Sequence, residues 1–416
     1  MNHSVSRIES VNISSLTYGR VFALFINAIL MVDMVRMVSN NNVSFVTLVQ
    51  YTIYIGVALY VYWKIVFENG FKIDKSYFIW LILILIIPLV SYFVCSEICR
   101  FYSYFIMFII LRILPGIYLG SRADKYGVDI TINSLIKYRF IWLAYAVVGC
   151  IWIPAHTSTW NQYSMTYGYN LVIPACLVFF YFIRTLDVKY LIYTGIFCIF
   201  ILLRGSRGAL LCFLVFALLA YIMVKRERKD NGKIAKILFV SIIGIVVLLF
   251  FDVIMLALYK VFPSSRTLYF LSGIFTNGTV SFDTGRFDIQ ALYWEAIQSN
   301  PLKINGIFSD RIYYSSVRGA ALDITNHPHN LIIEILYQFG VPLGTLVLIY
   351  LFFISAKSIA IASKSDDPEM TGFLLMLSAI GIFKLFLSAS YLLSVEFFIY
   401  MGYARAVIKT AGNTGG

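Results

Sequence analysis

Apolar stretches of roughly 20 residues recur along almost the whole chain, separated by short polar breaks. A helix rises ~1.5 Å per residue, so each stretch is long enough to cross a ~30 Å hydrocarbon core. Strands of a membrane barrel would run ~10 residues and alternate in hydrophobicity, and these stretches are continuous. The pattern predicts an all-α, polytopic integral membrane protein. About twelve spans are expected, near 18–38, 43–63, 77–96, 101–120, 138–155, 169–184, 188–203, 207–224, 234–257, 329–355, 371–392 and 394–409. The divisions at 184–188 and 392–394 are the least marked. The first apolar stretch is followed by VSNNNVSF, with no small-residue cleavage pattern, and is expected to stay as an uncleaved first helix.

Composition agrees with the pattern. Of the 416 residues, 60% are hydrophobic and 13% charged, against about 25% charged in a soluble domain. The net charge of +12 suggests a nucleic-acid surface until it is placed along the chain. With the N-terminus in the cytoplasm, most Lys and Arg fall on cytoplasmic segments, including the run KRERKDNGKIAK from Lys225. The short opposite loops near 39–42, 154–168 and 393 carry no charge. This is the positive-inside asymmetry. It predicts both termini in the cytoplasm and makes the charge a topology signal, with no nucleic-acid partner. The six cysteines lie in or beside apolar stretches without a C-x-x-C pair, as small packing residues do.

Two outward segments break the charge rule. One is the tight turn LRGSRGALL, with Arg204 and Arg207. The other runs from about Lys260 to Pro328 and holds six basic residues, among them Arg286 and Arg311. The chain therefore divides into a transmembrane bundle (1–257), a large outward loop (258–328) and a C-terminal set of spans (329–416). A loop this long is structured in part. In DTGRFDIQALYWEAIQSNP, Ile289, Leu292, Tyr293, Ala296 and Ile297 fall on one helical face, with Asp283 or Thr284 as cap and Asn300–Pro301 as the stop. The loop is expected to pack on the spans as a lid or small cap.

The loop has no nucleotide-binding glycine motif, no H-E-x-x-H and no Asp/His cluster at metal-ligand spacing. The expected cofactors are none. Arginine binds phosphate with a planar fork and stays charged, so several arginines at one membrane face suit a lipid pyrophosphate. Each can equally pair with a local carboxylate or a lipid headgroup. Arg204 and Arg207 concentrate charge at a helix start near Gly208, whose N–H groups also face any anion there. Inside or near the spans lie Asp33, Arg36, Arg112, Asp252 and Lys384. Mutual pairing is the simpler account of them, with contact to a lipid phosphate as the alternative.

Two of the four histidines, His327 and His329, stand at the mouth of a span in HPHNLIIEILYQFGVPLG. That motif follows RGSRGALLCFLVFALL and GRFDIQALYWEAIQSNPLKINGIF in order, with a long outward loop between the first two. Together with YSMTYGYNLVIPA these stretches, over roughly residues 160–350, resemble the O-antigen polymerase and O-antigen ligase superfamily of bacterial membrane glycosyltransferases, and its polymerase branch most. The resemblance implies a multi-pass protein of the inner membrane working at the periplasmic face. The implied donor is a glycan on undecaprenyl pyrophosphate, and the acceptor another lipid-linked repeat. No nucleotide or metal is needed. Membrane lipids are partners, and a chain-length regulator and a flippase are candidate ones. Residue by residue, it makes His329 the general base or acceptor positioner, and Arg204, Arg207 and Arg286 the pyrophosphate contacts. His327 has no counterpart in the motif. Asn330 and Glu334 share a helix face, so Glu334 orients Asn330 or a sugar, or belongs to a structural polar network. Tyr167, with His156, Trp160 and Tyr163, either stacks on sugars or packs. A ligase with a lipid A–core acceptor, a flippase for the lipid-linked repeat and a non-catalytic scaffold are the competing readings.

Overall fold

The computed structural model describes residues 13–39, 43–68, 75–149, 165–204, 207–224, 260 and 286–414. Among these the chain is helical, with no strand. The helices are α1 (Ile13–Val38), α2 (Val43–Trp63), α3 (Lys75–Val94), α4 (Tyr102–Phe108), α5 (Leu114–Tyr126), α6 (Val128–Ile136), α7 (Arg139–Val147), α8 (Met165–Thr185), α9 (Val188–Arg204), α10 (Arg207–Met223), α11 (Arg286–Ser299), α12 (Ser309–Arg318), α13 (Leu331–Lys364), α14 (Pro368–Ser378), α15 (Lys384–Leu387) and α16 (Val395–Thr414). Single π-turns join α4 to α5 (Ile109–Ile113) and α14 to α15 (Ala379–Phe383).

Among the described residues, six stretches are long and apolar enough to cross a membrane: Ser14–Arg36, Ser44–Trp63, Ser96–Tyr126, Met165–Thr185, Leu331–Lys364 and Pro368–Leu387. Three shorter apolar helices are Ile82–Val94, Val188–Leu203 and Arg207–Met223. The expected span at 234–257 and the end of that at 138–155 lie outside the described residues, as do Asp252, His156, Trp160 and Tyr163.

Helices of a membrane bundle gain nothing from excluding lipid and associate by close packing. Here α5 and α16 run side by side at glycines. A Cβ on Gly120 would sit 2.1 Å from the Ile399 carbonyl oxygen, and one on Gly402 2.4 Å from that of Ile117. Gly116 faces Val395 and Ile399, and Gly120 faces Ile399 and Tyr403, so the two helices run in the same direction.

The helix expected in the outward loop forms as α11, with Tyr293 and Ile297 buried and its end at Ser299, just before Asn300–Pro301. The described part of the loop packs down on the spans. Tyr293 packs at a tilt against Tyr313 and edge-on against Tyr337, and Phe308 sits against Phe101 and Phe105. The cap residues proposed for α11, Asp283 and Thr284, lie outside the described residues. The loop also breaks α13. Gly340 has φ 71° and ψ 165°, a conformation costly for any residue with a Cβ. Around it the Gln338 carbonyl accepts from the Asn305 and Gly306 amides, and Val341 N–H donates to Pro301 O. A short first segment of α13 is thereby set off from the long span that follows.

Candidate functional site

Two residues set the entrance to α13. Asn330 is its N-cap, its Oδ1 accepting from the amides of Ile332 at 3.0 Å and Ile333 at 3.3 Å. A side-chain acceptor there satisfies amides that no helical carbonyl can reach. Just before it, His329 has φ 55°. Left-handed backbone is uncommon outside glycine, and where it persists the surroundings hold it. The holder is His327: the His329 N–H donates to His327 Nδ1 at 3.1 Å, with the rings 4.1 Å apart. His327 is buried, and what its ring presents to its neighbour is this acceptor.

The His329 ring is half-buried, and its Nδ1 lies 3.1 Å from the Ser388 carbonyl oxygen. A carbonyl only accepts, so Nδ1 carries the hydrogen and Nε2 holds the lone pair. Burial pushes the His329 pKa below the ordinary imidazole value; the Ser388 bond opposes this, and the Arg286 and Arg311 charges reinforce it. His327 is pushed down further, by burial first and then by His329, Arg311 and Arg286. Both rings are therefore neutral near pH 7, and Nε2 of His329 is a competent base.

The residue before Ser388 receives the arginine. Arg286, half-buried at the start of α11, donates from Nη1 to the Leu387 carbonyl at 2.9 Å and from Nη2 toward Met165 Sδ at 2.7 Å. Arg207 opens α10 beside the same place. A Cβ on its neighbour Gly208 would lie 2.3 Å from Tyr169 Oη and 3.6 Å from Leu387 Cβ. Tyr169 Oη in turn accepts from Ser388 Oγ at 2.6 Å. Lys384 lies over the Tyr169 ring and pairs with Glu396 at 3.4 Å. The end of α15 thus draws together α8, α10, α11 and the mouth of α13. Arg204 closes α9 at the end where α10 begins; its side chain is outside the described set.

Beneath the histidines lies a buried ionic network that the sequence did not announce. Arg311, fully buried, bonds to Asp310, to Glu334 Oε1 at 2.7 Å, to Ser390 Oγ at 2.6 Å and, through Nε, to the Ile324 carbonyl at 3.2 Å. Ser390 Oγ also donates to Glu334 Oε1 at 2.6 Å. Gln338 donates to Asp310 Oδ1 at 2.8 Å and accepts from Tyr391 Oη at 2.6 Å. Burial works against the Arg311 charge, but the Asp310 and Glu334 carboxylates outweigh it and hold the guanidinium above its usual range. Of the two roles open to Glu334, the structural one is what the geometry presents: the carboxyl faces this network, while the Asn330 side chain is spent on the cap. The available signals were the adjacent Asp310–Arg311 pair and the i, i+4 spacing of Glu334 and Gln338, neither specific alone.

Tyr167 packs. It is buried against Tyr145, and its hydroxyl donates to the Ala146 carbonyl at 2.7 Å. The intramembrane charges divide. Asp33 accepts from Asn170 at 3.0 Å and Tyr145 at 3.2 Å and lies 3.5 Å from Arg36. With Lys384 on Glu396, pairing accounts for Asp33, Arg36 and Lys384; Arg112 instead stacks on Tyr54 and Phe108.

The site combines a neutral imidazole with a free lone pair and cationic groups gathered at the adjacent residues. That set can accept a hydroxyl proton while holding an anionic leaving group. Comparison with curated proteins finds no match. The model of a family described as O-antigen ligase matches residues 192–349, a stretch that includes Arg204, Arg207, Arg286, Arg311, His327, His329, Asn330 and Glu334 and stops short of Leu387–Ser390. The match supports the O-antigen polymerase and ligase superfamily without separating its two branches, and over those residues the chain is similar to the O-antigen ligase family.

Proposed function

We propose that the chain is a membrane glycosyltransferase that polymerises lipid-linked oligosaccharide repeats at the periplasmic face of the bacterial inner membrane. The single observation that carries this reading is the convergence of Arg286 and His329, far apart in sequence, on the successive carbonyls of Leu387 and Ser388. In the proposed step an acceptor sugar hydroxyl attacks the anomeric carbon of the donor glycan. The new glycosidic C–O bond forms as the bond to pyrophosphate breaks, and undecaprenyl pyrophosphate leaves with the electron pair. His329 Nε2 takes the hydroxyl proton. Arg286, with Arg207 and Arg204 from the α9–α10 turn, stabilises the charge growing on the leaving pyrophosphate. The bond cleaved supplies the driving force, so the step uses neither nucleotide nor metal. His327 and Asn330 fix the backbone that aims His329, and Glu334 anchors it from below.

The polymerase reading is preferred over the ligase because the YSMTYGYNLVIPA stretch, which resembles that branch and enters α8 from Met165 on, supplies Tyr169 to the site. Surface glycan from cells lacking the protein separates the readings. A single repeat on its anchor identifies a polymerase. A bare anchor with long polymer held on the carrier lipid identifies a ligase. Repeats trapped on the cytoplasmic face identify a flippase.

A further inference from the structure

Among the described residues, Arg112 is an intramembrane cation that pairing does not explain. It sits on the π-turn Ile109–Ile113 within the Ser96–Tyr126 span. Such turns recur at functional sites. Its guanidinium lies 4.1 Å from the centre of the Tyr54 ring and 5.0 Å from that of Phe108. Among the described residues no carboxylate or carbonyl accepts from it. The carboxylates in electrostatic reach of Tyr54 are Glu396 and Asp33, and both are engaged elsewhere. The second observation is Tyr54 itself. Its side chain is 2% exposed, and its hydroxyl is buried with no hydrogen-bond partner among the described residues. A guanidinium and a phenol stacked together, both with unused donors, call for one anionic acceptor with several oxygens.

The level of this pair is fixed by the α5–α16 packing. Gly116, one turn after Arg112, faces Val395 at the start of α16. Because the helices run in the same direction, Arg112 is level with the stretch that precedes Val395. That stretch is the short turn Tyr391–Leu393, which follows directly on Ser388 and Ser390. We propose that Arg112 and Tyr54 form a binding site for the phosphate group of a membrane lipid, at the depth of the catalytic site. The phosphate can belong to a polyprenyl carrier or to an ordinary phospholipid. The first source rests on the transferase reading; the site itself does not.

The test is native mass spectrometry of the full-length protein in detergent, titrated with undecaprenyl phosphate, undecaprenol and phosphatidylglycerol. Arg112→Gln should weaken undecaprenyl phosphate binding about tenfold or more, since a charge-assisted fork is lost. Tyr54→Phe should weaken it about threefold to tenfold, and undecaprenol should bind all variants alike. An equal Arg112-dependent loss for phosphatidylglycerol keeps the phosphate site and assigns it to bulk lipid. An Arg112→Gln protein that unfolds at the wild-type temperature and binds undecaprenyl phosphate unchanged overturns the proposal. So does an equal loss of undecaprenol. If Arg112→Gln does not fold, unchanged binding by Tyr54→Phe overturns it. Unchanged surface glycan in cells lacking the protein removes the transferase reading and leaves these binding results standing.

Discussion

At the scale of single residues, the proposed step makes the His329 imidazole the group that ties protonation to turnover. Its pKa lies below the ordinary value of 6.5, for burial and for the Arg286 and Arg311 charges. Raising the pH through that value frees Nε2, so repeat transfer should rise with pH on an acid limb centred below 6.5 and be flat at neutrality. Arg286→Gln removes one cation, so the limb should move to higher pH, beyond any fall in the plateau. A limb that stays put in purified Arg286→Gln would show that the two groups do not face one site. Stability follows the same sign. His327 and His329 bind protons less readily folded than unfolded, so their contribution is full above about 6.5 and is lost as pH falls toward the folded values. Arg311→Ala should cost about 3–5 kcal/mol, because Asp310 and Glu334 are left buried without a counter-ion. Thermal unfolding of the purified protein reads it. A variant of wild-type stability would mean that the network does not hold the loop to α13. The sequence showed His329 through its motif, and the structure adds its tautomer, set by Ser388 some sixty residues away. Arg311 was legible only as one of several loop arginines, because its three partners outside its own turn, Ile324, Glu334 and Ser390, come from later in the chain.

At the scale of elements, helices were readable where burial repeats along one face, as in α11, and breaks were not. The twisted backbone at Gly340 and the π-turn at Ala379–Phe383 depend on the neighbours that fill them. No period in the sequence encodes the non-helical Ser388–Ser390 stretch on which the site converges. Two glycines test the difference between shaping the site and holding the bundle. A Cβ on Gly208 meets the far end of Tyr169, which can swing aside. Gly208→Ala should release Tyr169 from Ser388 and lower activity severalfold with little loss of stability. A Cβ on Gly120 meets the Ile399 backbone, which cannot move alone. Gly120→Ala should instead cost about 1–3 kcal/mol in unfolding. Equal stabilities for the two variants would contradict the packing described for α5 and α16.

At the scale of the molecule, the membrane class followed from continuous apolar runs, and the side of the membrane was argued from charge alone. The six long apolar helices support the class. The proposed function rests on an arrangement that no local pattern contains: an imidazole from the mouth of α13 and a guanidinium from α11 brought to the end of α15 beside the start of α10. The measurement that tests this account most directly is a gel of surface glycan from cells lacking the protein, complemented with wild type or with His329→Ala at equal membrane abundance. The account predicts a ladder with wild type and a single repeat with His329→Ala. An undiminished ladder from His329→Ala would contradict it.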